Sequence, residues 1–118
     1  MKNQRIFNYT FGNIYKLYLE KLARKERSKE DLDKILSWLT GYSLPELVTV
    51  IEEGLTLEQF FAQAPAMNPN TYLITGVICG YRVEDMEDPL MQKIRYMDKL
   101  VDELYKGKKM EKILRVPK

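Results

Sequence analysis

Four carboxylates lie close together in the second half of the chain, at Glu84, Asp85, Glu87 and Asp88. Paired carboxylates exchange protons in acid–base catalysis, and their oxygens bind Mg²⁺ or Ca²⁺. The spacing lacks the longer loop and the sixth-position glycine of an EF-hand. The same acids are also typical of a helix start, where they complement the helix dipole. The sequence leaves both interpretations open.

Other side chains suited to ligand binding flank this acidic cluster. Aromatic, guanidinium and carboxylate groups near residues 81–95 would form a small-ligand site or a carboxylate-based enzyme site if the fold brought them together. The candidate residues are Tyr81, Arg82, Asp85, Asp88 and Arg95.

The 118 residues include no histidine and a single cysteine, Cys79. Serine or cysteine catalysis through a histidine base is therefore excluded, and so is a zinc site built from Cys and His. Cys79 lies in an apolar stretch, which favours a small buried hydrophobic residue over a reactive thiol. No nucleotide-binding glycine loop is present. We therefore expect no metal and no cofactor, and an enzyme is the less favoured class.

The net charge of +2 conceals a strong segregation of charge. Residues 1–27 carry +5, residues 28–89 carry −8 and residues 90–118 carry +5. Basic residues interleaved with tyrosines suit RNA or single-stranded DNA. Attraction between the acidic middle and the basic ends within one fold is the simpler explanation of the pattern, and we prefer it. The candidate nucleic-acid-binding residues are Lys16, Lys21, Arg24, Lys25, Lys108, Lys109 and Lys112.

The elements that must position these residues are mainly helical. Ser28, Ser43 and Thr56 have the spacing of N-caps, and Asp88 followed by Pro89 predicts the start of a long helix. Ile14, Leu17, Tyr18 and Leu22 predict the buried face of the first long helix. The buried face of the helix after Ser43 is predicted to consist of Leu44, Leu47, Val48 and Ile51. Residues 5–11 alternate weakly and suggest a short extended segment.

Residues 72–81 give conflicting signals. Their composition favours a strand, whereas Ile74, Val77, Ile78 and Tyr81 recur with helical spacing. A strand needs a partner, and residues 5–11 are the only weak candidate for one. We therefore predict a buried helix, with Gly76 and Gly80 allowing close approach of another backbone.

Several segments resemble one bacterial family, the domain of unknown function 2200. They are Leu-Thr-Gly-Tyr at 39–42, Phe-Phe-Ala-Gln-Ala-Pro at 60–65, the block from Ile74 to Leu104, and Met-Glu-Lys-Ile-Leu-Arg at 110–115. The resemblance covers nearly the whole chain. It implies a compact, mostly helical orthogonal bundle, and it implies no activity and no catalytic residues.

Together these observations predict one all-α domain of five to seven helices, spanning residues 1–118. The preferred function is a small non-catalytic protein that binds another protein, with nucleic-acid binding through the basic ends as the alternative. A ligand or enzyme site at residues 81–95 is the second alternative. We expect the cytoplasm, because no secretory segment and no apolar run long enough to cross a bilayer is evident. We expect a monomer rather than a dimer, because the apolar seam of the last long helix spans only two heptads and suits a central bundle helix better than a dimer zipper. The residues of this seam are Leu90, Ile94, Met97, Val101 and Leu104.

Overall fold

The computed structural model describes residues 2–117, with side chains from Arg5 onwards; Met1 and Lys118, the ends of the predicted domain, lie outside it. This part of the chain is mostly helical and contains seven α-helices. They are α1 (Lys2–Phe7), α2 (Phe11–Ala23), α3 (Lys29–Thr40), α4 (Leu44–Glu53), α5 (Leu57–Ala62), α6 (Pro89–Tyr105) and α7 (Met110–Ile113). Two 3₁₀ turns, Pro69–Leu73 and Val83–Asp85, flank a short antiparallel hairpin of β1 (Val77–Ile78) and β2 (Tyr81–Arg82).

The helix starts follow the capping signals in the sequence. The Ser28 hydroxyl accepts the first-turn N–H of Asp31, and Ser43 and Thr56 each form a complete capping box. The Asp88 carboxylate accepts hydrogen bonds from two backbone N–H groups at the start of α6. These predictions are confirmed. A cap can be predicted from the sequence because it depends on residues two or three positions apart and not on the rest of the fold.

The centre of the fold is α6, which contacts α2, α3, α5, α7 and the hairpin. Its predicted seam is buried at Ile94, Met97, Val101 and Leu104. Aromatic rings pack between the start of α2 and α5. Phe11 and Phe60 stack with their ring centroids 4.0 Å apart. No helix in residues 2–117 is both long and apolar enough to cross a membrane.

Two predicted helix faces are partly wrong. On α2 the buried residues are Phe11, Tyr15, Tyr18 and Leu22, whereas Leu17 is 57% exposed. The tyrosines can face inward because their hydroxyls find carboxylate partners, which a hydrophobicity pattern does not reveal. On α4, Leu44 and Val48 are exposed.

The predicted extended segment at residues 5–11 is also wrong. Residues 2–7 form α1, and only Thr10 makes an isolated antiparallel bridge, with Thr56.

The predicted buried helix at residues 72–81 is wrong as well. The segment ends a 3₁₀ turn and then folds back on itself, pairing Val77 with Arg82 and Ile78 with Tyr81. Cys79 and Gly80 form the two-residue turn with φ of 53° and 84°. Positive φ at both positions is the type I′ geometry that matches the twist of a hairpin, and glycine adopts it without steric cost. The partner of the first strand is thus the next few residues of the chain.

Candidate functional site

A groove lies between the hairpin and the first turns of α6. It has a volume of about 250 Å³ and is lined by Tyr81, Met86, Met91 and Arg95. The hairpin turn places Tyr81 on one side, with 65% of the residue exposed. Met91 and Arg95 are four residues apart on α6, so both side chains lie on the same helix face. The groove thus brings together two of the predicted site residues, Tyr81 and Arg95.

Arg95 is held in this groove by an ion pair with Asp98, which is itself hydrogen-bonded to Tyr18. Its Nη1 lies 2.8 Å from Asp98 Oδ2, and its side chain is 20% exposed. The other oxygen of Asp98 accepts a hydrogen bond from the hydroxyl of Tyr18. Burial, followed by the charge of Asp98, raises the pKa of Tyr18 well above its ordinary value. The Tyr18 hydroxyl therefore stays protonated and fixes Asp98, which in turn fixes Arg95.

Cys79 is exposed at the tip of the hairpin, so the prediction of a buried cysteine is wrong. Its position in the turn leaves the residue exposed, although its neighbours in the sequence are apolar. The Nη1 of Arg95 lies 3.4 Å from the Cys79 sulfur.

The acidic cluster separates into different local environments. Asp88 caps α6. Glu84 accepts a hydrogen bond from the Gly76 N–H at 3.0 Å and lies 3.6 Å from Arg82. That backbone hydrogen bond is the main reason why the pKa of Glu84 is lowered. Two of the four acids therefore have local structural partners.

Asp85 and Arg82 lie in a second groove that adjoins the first. It has a volume of about 250 Å³, and Gly80, Tyr81 and Met86 complete its lining. Tyr81 and Met86 therefore border both grooves. Asp85 is exposed in this lining, and Glu87, the residue after Met86 in the chain, is exposed as well. Within residues 2–117 no three acidic, cysteine or histidine side chains come close enough to hold a metal ion.

The predicted nucleic-acid-binding residues fall into separate groups. Lys21 and Lys25 lie over the ring of Tyr105, with Nζ 4.9 Å and 5.6 Å from its centroid. Lys16 lies five residues before Lys21, which places it on a different face of α2.

The remaining basic candidates lie near the ends of helices. Arg24 follows the last turn of α2. Lys108 pairs with Glu103 at 3.4 Å. Lys109 precedes α7 and borders a separate groove with Lys34, and Lys112 is exposed on α7. The structure thus joins the end of α2 to the end of α6, but it does not unite all seven residues on one surface.

Sequence reasoning missed the methionines of the groove and the carboxylate that holds its arginine. The spacing of Met91, Arg95 and Asp98 along one helix was a usable signal, since residues three or four apart are neighbours on a helix. No comparable signal connects Tyr18 with Asp98, because 80 residues separate them.

Comparisons with known proteins agree with this mostly helical fold carrying a small hairpin. The model of the family described as "uncharacterized protein conserved in bacteria (DUF2200)" matches residues 5–115. The chain therefore belongs to this family, as the sequence resemblance indicated. It is similar to the uncharacterized protein SP1917, whose crystal structure matches with 41% identity and a TM-score of 0.89, covering 94% of this chain and 91% of that one. A search of curated proteins gives no match.

Proposed function

We propose that this chain is a non-catalytic protein that binds another protein through the groove between the hairpin and α6. The observation that carries the proposal is the lining of the groove by a tyrosine, two methionines and an arginine. Tyrosine, methionine and arginine are enriched in protein interfaces, and tyrosine and arginine are enriched among the residues that dominate binding energy.

The size of the groove supports a protein side chain as the occupant. Pockets for small molecules usually have volumes of about 300–1,000 Å³ and bury most of the ligand. The groove has about 250 Å³. It therefore suits one inserted apolar side chain of a partner, while the surrounding rim contacts the partner's backbone and neighbouring residues.

The charge of the rim indicates what the partner presents. Asp85 and Glu87 are exposed, and Glu84 is offset by Arg82. Arg95 is already compensated by Asp98. The rim is therefore acidic, and a partner segment with Lys or Arg on both sides of an apolar residue would be complementary.

A second exposed apolar face, on α4, is the less suitable surface. Leu44 and Val48 are 55% and 52% exposed and lie one turn apart. Leucine and valine are under-represented among binding hot spots. This face is therefore the competing surface in a binding experiment.

Three expectations from the sequence accompany this proposal. A monomer is expected because the two-heptad seam of α6 suits packing within one fold better than pairing of two copies. The cytoplasm, a reducing compartment, would keep the exposed thiol of Cys79 free. The family resemblance supports an orthogonal arrangement of the helices.

The proposal is tested with a display library of random peptides selected on the immobilised chain. We expect the selected peptides to contain an apolar residue flanked by Lys or Arg. Tyr81→Ala should weaken their binding at least about 30-fold, since truncating a hot-spot residue costs about 2 kcal/mol or more.

Tyr72→Ala is the matched control, because Tyr72 is 62% exposed and does not border the groove. The control should change the affinity less than about twofold. The proposal is wrong if no peptide is enriched, if the enriched peptides lack basic residues, or if both tyrosine variants have the same effect.

A further inference from the structure

We propose that the surface formed by the ends of α2 and α6 binds the phosphate backbone of a nucleic acid. The surface is separate from the groove. It comprises Lys21, Lys25 and Arg27 from the end of α2 together with Tyr105, Lys106, Gly107 and Lys108 from the end of α6. Two basic segments about 80 residues apart in the sequence thus form one surface.

Contacts with Tyr105 and Gly107 connect the two helix ends. The ammonium groups of Lys21 and Lys25 both lie over the ring of Tyr105, at 4.9 Å and 5.6 Å from its centroid. The guanidinium of Arg27 lies against Gly107, where the Cβ of any larger residue would come within 2.7 Å of Nη2. Glycine at position 107 therefore leaves the space that Arg27 occupies.

Positive charge exceeds negative charge on this surface. Asp102 is shared by Lys21 at 3.6 Å and Lys106 at 3.1 Å. Glu103 is shared by Lys108 at 3.4 Å and Arg115 at 2.6 Å.

Two cations thus share each of these carboxylates. Lys25 and Arg27 form no ion pair with any side chain from Arg5 to Pro117. The neighbouring charges of Arg24 and Glu26 cancel. The surface therefore retains about four uncompensated cations, which is the electrostatic signature of a polyanion site.

The position of the lysines favours phosphates over bases as the groups that are bound. A base would need the face of Tyr105, but two ammonium groups already lie over this ring. The aromatic ring instead holds the cations in place through cation–π interactions. We therefore expect binding that depends on salt and hardly on base sequence, unlike the base stacking that the sequence pattern suggested.

The acidic groove does not neutralise this surface. The groove lies at the first turns of α6, and the basic surface lies at the last turn of the same 17-residue helix. At 1.5 Å per residue the two are about 20 Å apart, which exceeds the Debye length of about 8 Å at physiological ionic strength. The two surfaces can therefore be tested separately.

The test is fluorescence anisotropy with a labelled 20-nucleotide oligothymidylate and a mixed-sequence RNA of the same length. Four phosphate contacts to a single strand give a slope of about −2.8 in a plot of log affinity against log salt. Affinity should therefore fall about 50-fold between 50 and 200 mM salt. The two probes should bind within about threefold of each other.

The double variant Lys21→Gln/Lys25→Gln should reduce the magnitude of this slope by about 1.4, because two phosphate contacts are removed. Lys16→Gln is the matched control, since Lys16 is an exposed lysine on another face of α2. The control should leave both affinity and slope unchanged within about twofold. Unaltered circular dichroism would show that the variants remain folded.

The proposal is overturned if neither probe binds at 50 mM salt, or if Lys16→Gln weakens binding as much as the double variant does. Strong discrimination between the two probes would also overturn it, because that requires contacts with bases. Vesicles containing phosphatidylserine test the other possible source of phosphate groups, the lipid headgroups of a membrane. Binding to the vesicles without binding to either oligonucleotide would assign the surface to a membrane and refute the proposal.

Discussion

The ion pair between Arg95 and Asp98 should contribute measurably to stability as well as to the shape of the groove. The two groups are 2.8 Å apart, with side chains 20% and 22% exposed. Hydrogen bonds to charged groups contribute about 1.5–3 kcal/mol when they are shielded from water, whereas exposed ion pairs contribute about 0–1 kcal/mol. Because each side chain retains about a fifth of its exposure, we expect a coupling free energy of about 1.5 kcal/mol.

A double-mutant cycle measures this coupling. The variants are Asp98→Asn, Arg95→Met and their combination, compared by urea unfolding at pH 7. Asp98→Asn alone should lower the free energy of unfolding by about 2–3 kcal/mol, because Tyr18 loses its charged acceptor together with Arg95. The combined variant should be about 1.5 kcal/mol more stable than the sum of the single effects predicts.

The pair formed by Arg82 and Glu84 provides a matched control within the same region. These groups are 3.6 Å apart, and the Arg82 side chain is 63% exposed. The same cycle with Arg82→Met and Glu84→Gln should give no measurable coupling, because solvent screens these exposed groups. A coupling at Arg95 and Asp98 that is no larger than this control would refute the view that a fixed arginine forms part of the groove.

Two further predictions concern the core and a turn. The pKa of Tyr15 is raised to about 12 by burial and by its hydrogen bond to Asp33, so folding favours the protonated phenol. This contribution, at most about 2.7 kcal/mol, is present below pH 10 and is lost as the pH rises towards 12. The free energy of unfolding of Tyr15→Phe should therefore fall less steeply than that of the wild type over this interval, and parallel curves would contradict the assignment. Gly41→Ala should cost about 3 kcal/mol, because φ is +81° and the new carbon would lie 2.8 Å from the Ala66 nitrogen. Gly54→Ala, with φ of +69° and open space, should cost only about 1 kcal/mol, and equal losses in urea unfolding would count against this explanation.

Helix starts were predictable because their signals are local. Ser28, Ser43, Thr56 and Asp88 each bond to N–H groups two or three residues away, and these spacings are visible in the sequence. The long seam of α6 was predictable for the same reason, since its helical period does not depend on the partner helices.

The hairpin was not predicted because a two-residue turn interrupts an apolar segment whose spacing also fits a helix. The spacing of Ile74, Val77 and Ile78 is compatible with a helix, but positive φ at Cys79 and Gly80 ends any helix there. The exposure of Cys79 follows from this turn. Apolar composition alone therefore predicted the wrong burial.

The candidate sites were predicted in part. Tyr81 and Arg95 do meet in one groove, whereas Asp88 is used to cap a helix. The contact of Lys21 with Tyr105 depends on how α2 packs against α6. Such long-range contacts leave no periodic signal in the sequence.

The groove between the hairpin and α6 is the central claim, and mapping of amide chemical shifts tests it most directly. The ¹⁵N-labelled chain would be titrated with a peptide that carries one apolar residue between lysines. If the groove binds the peptide as proposed, the largest shifts occur at Tyr81, Met86, Met91 and Arg95. Shifts concentrated on Leu44 and Val48 of α4, or no shifts at millimolar peptide, would contradict the claim.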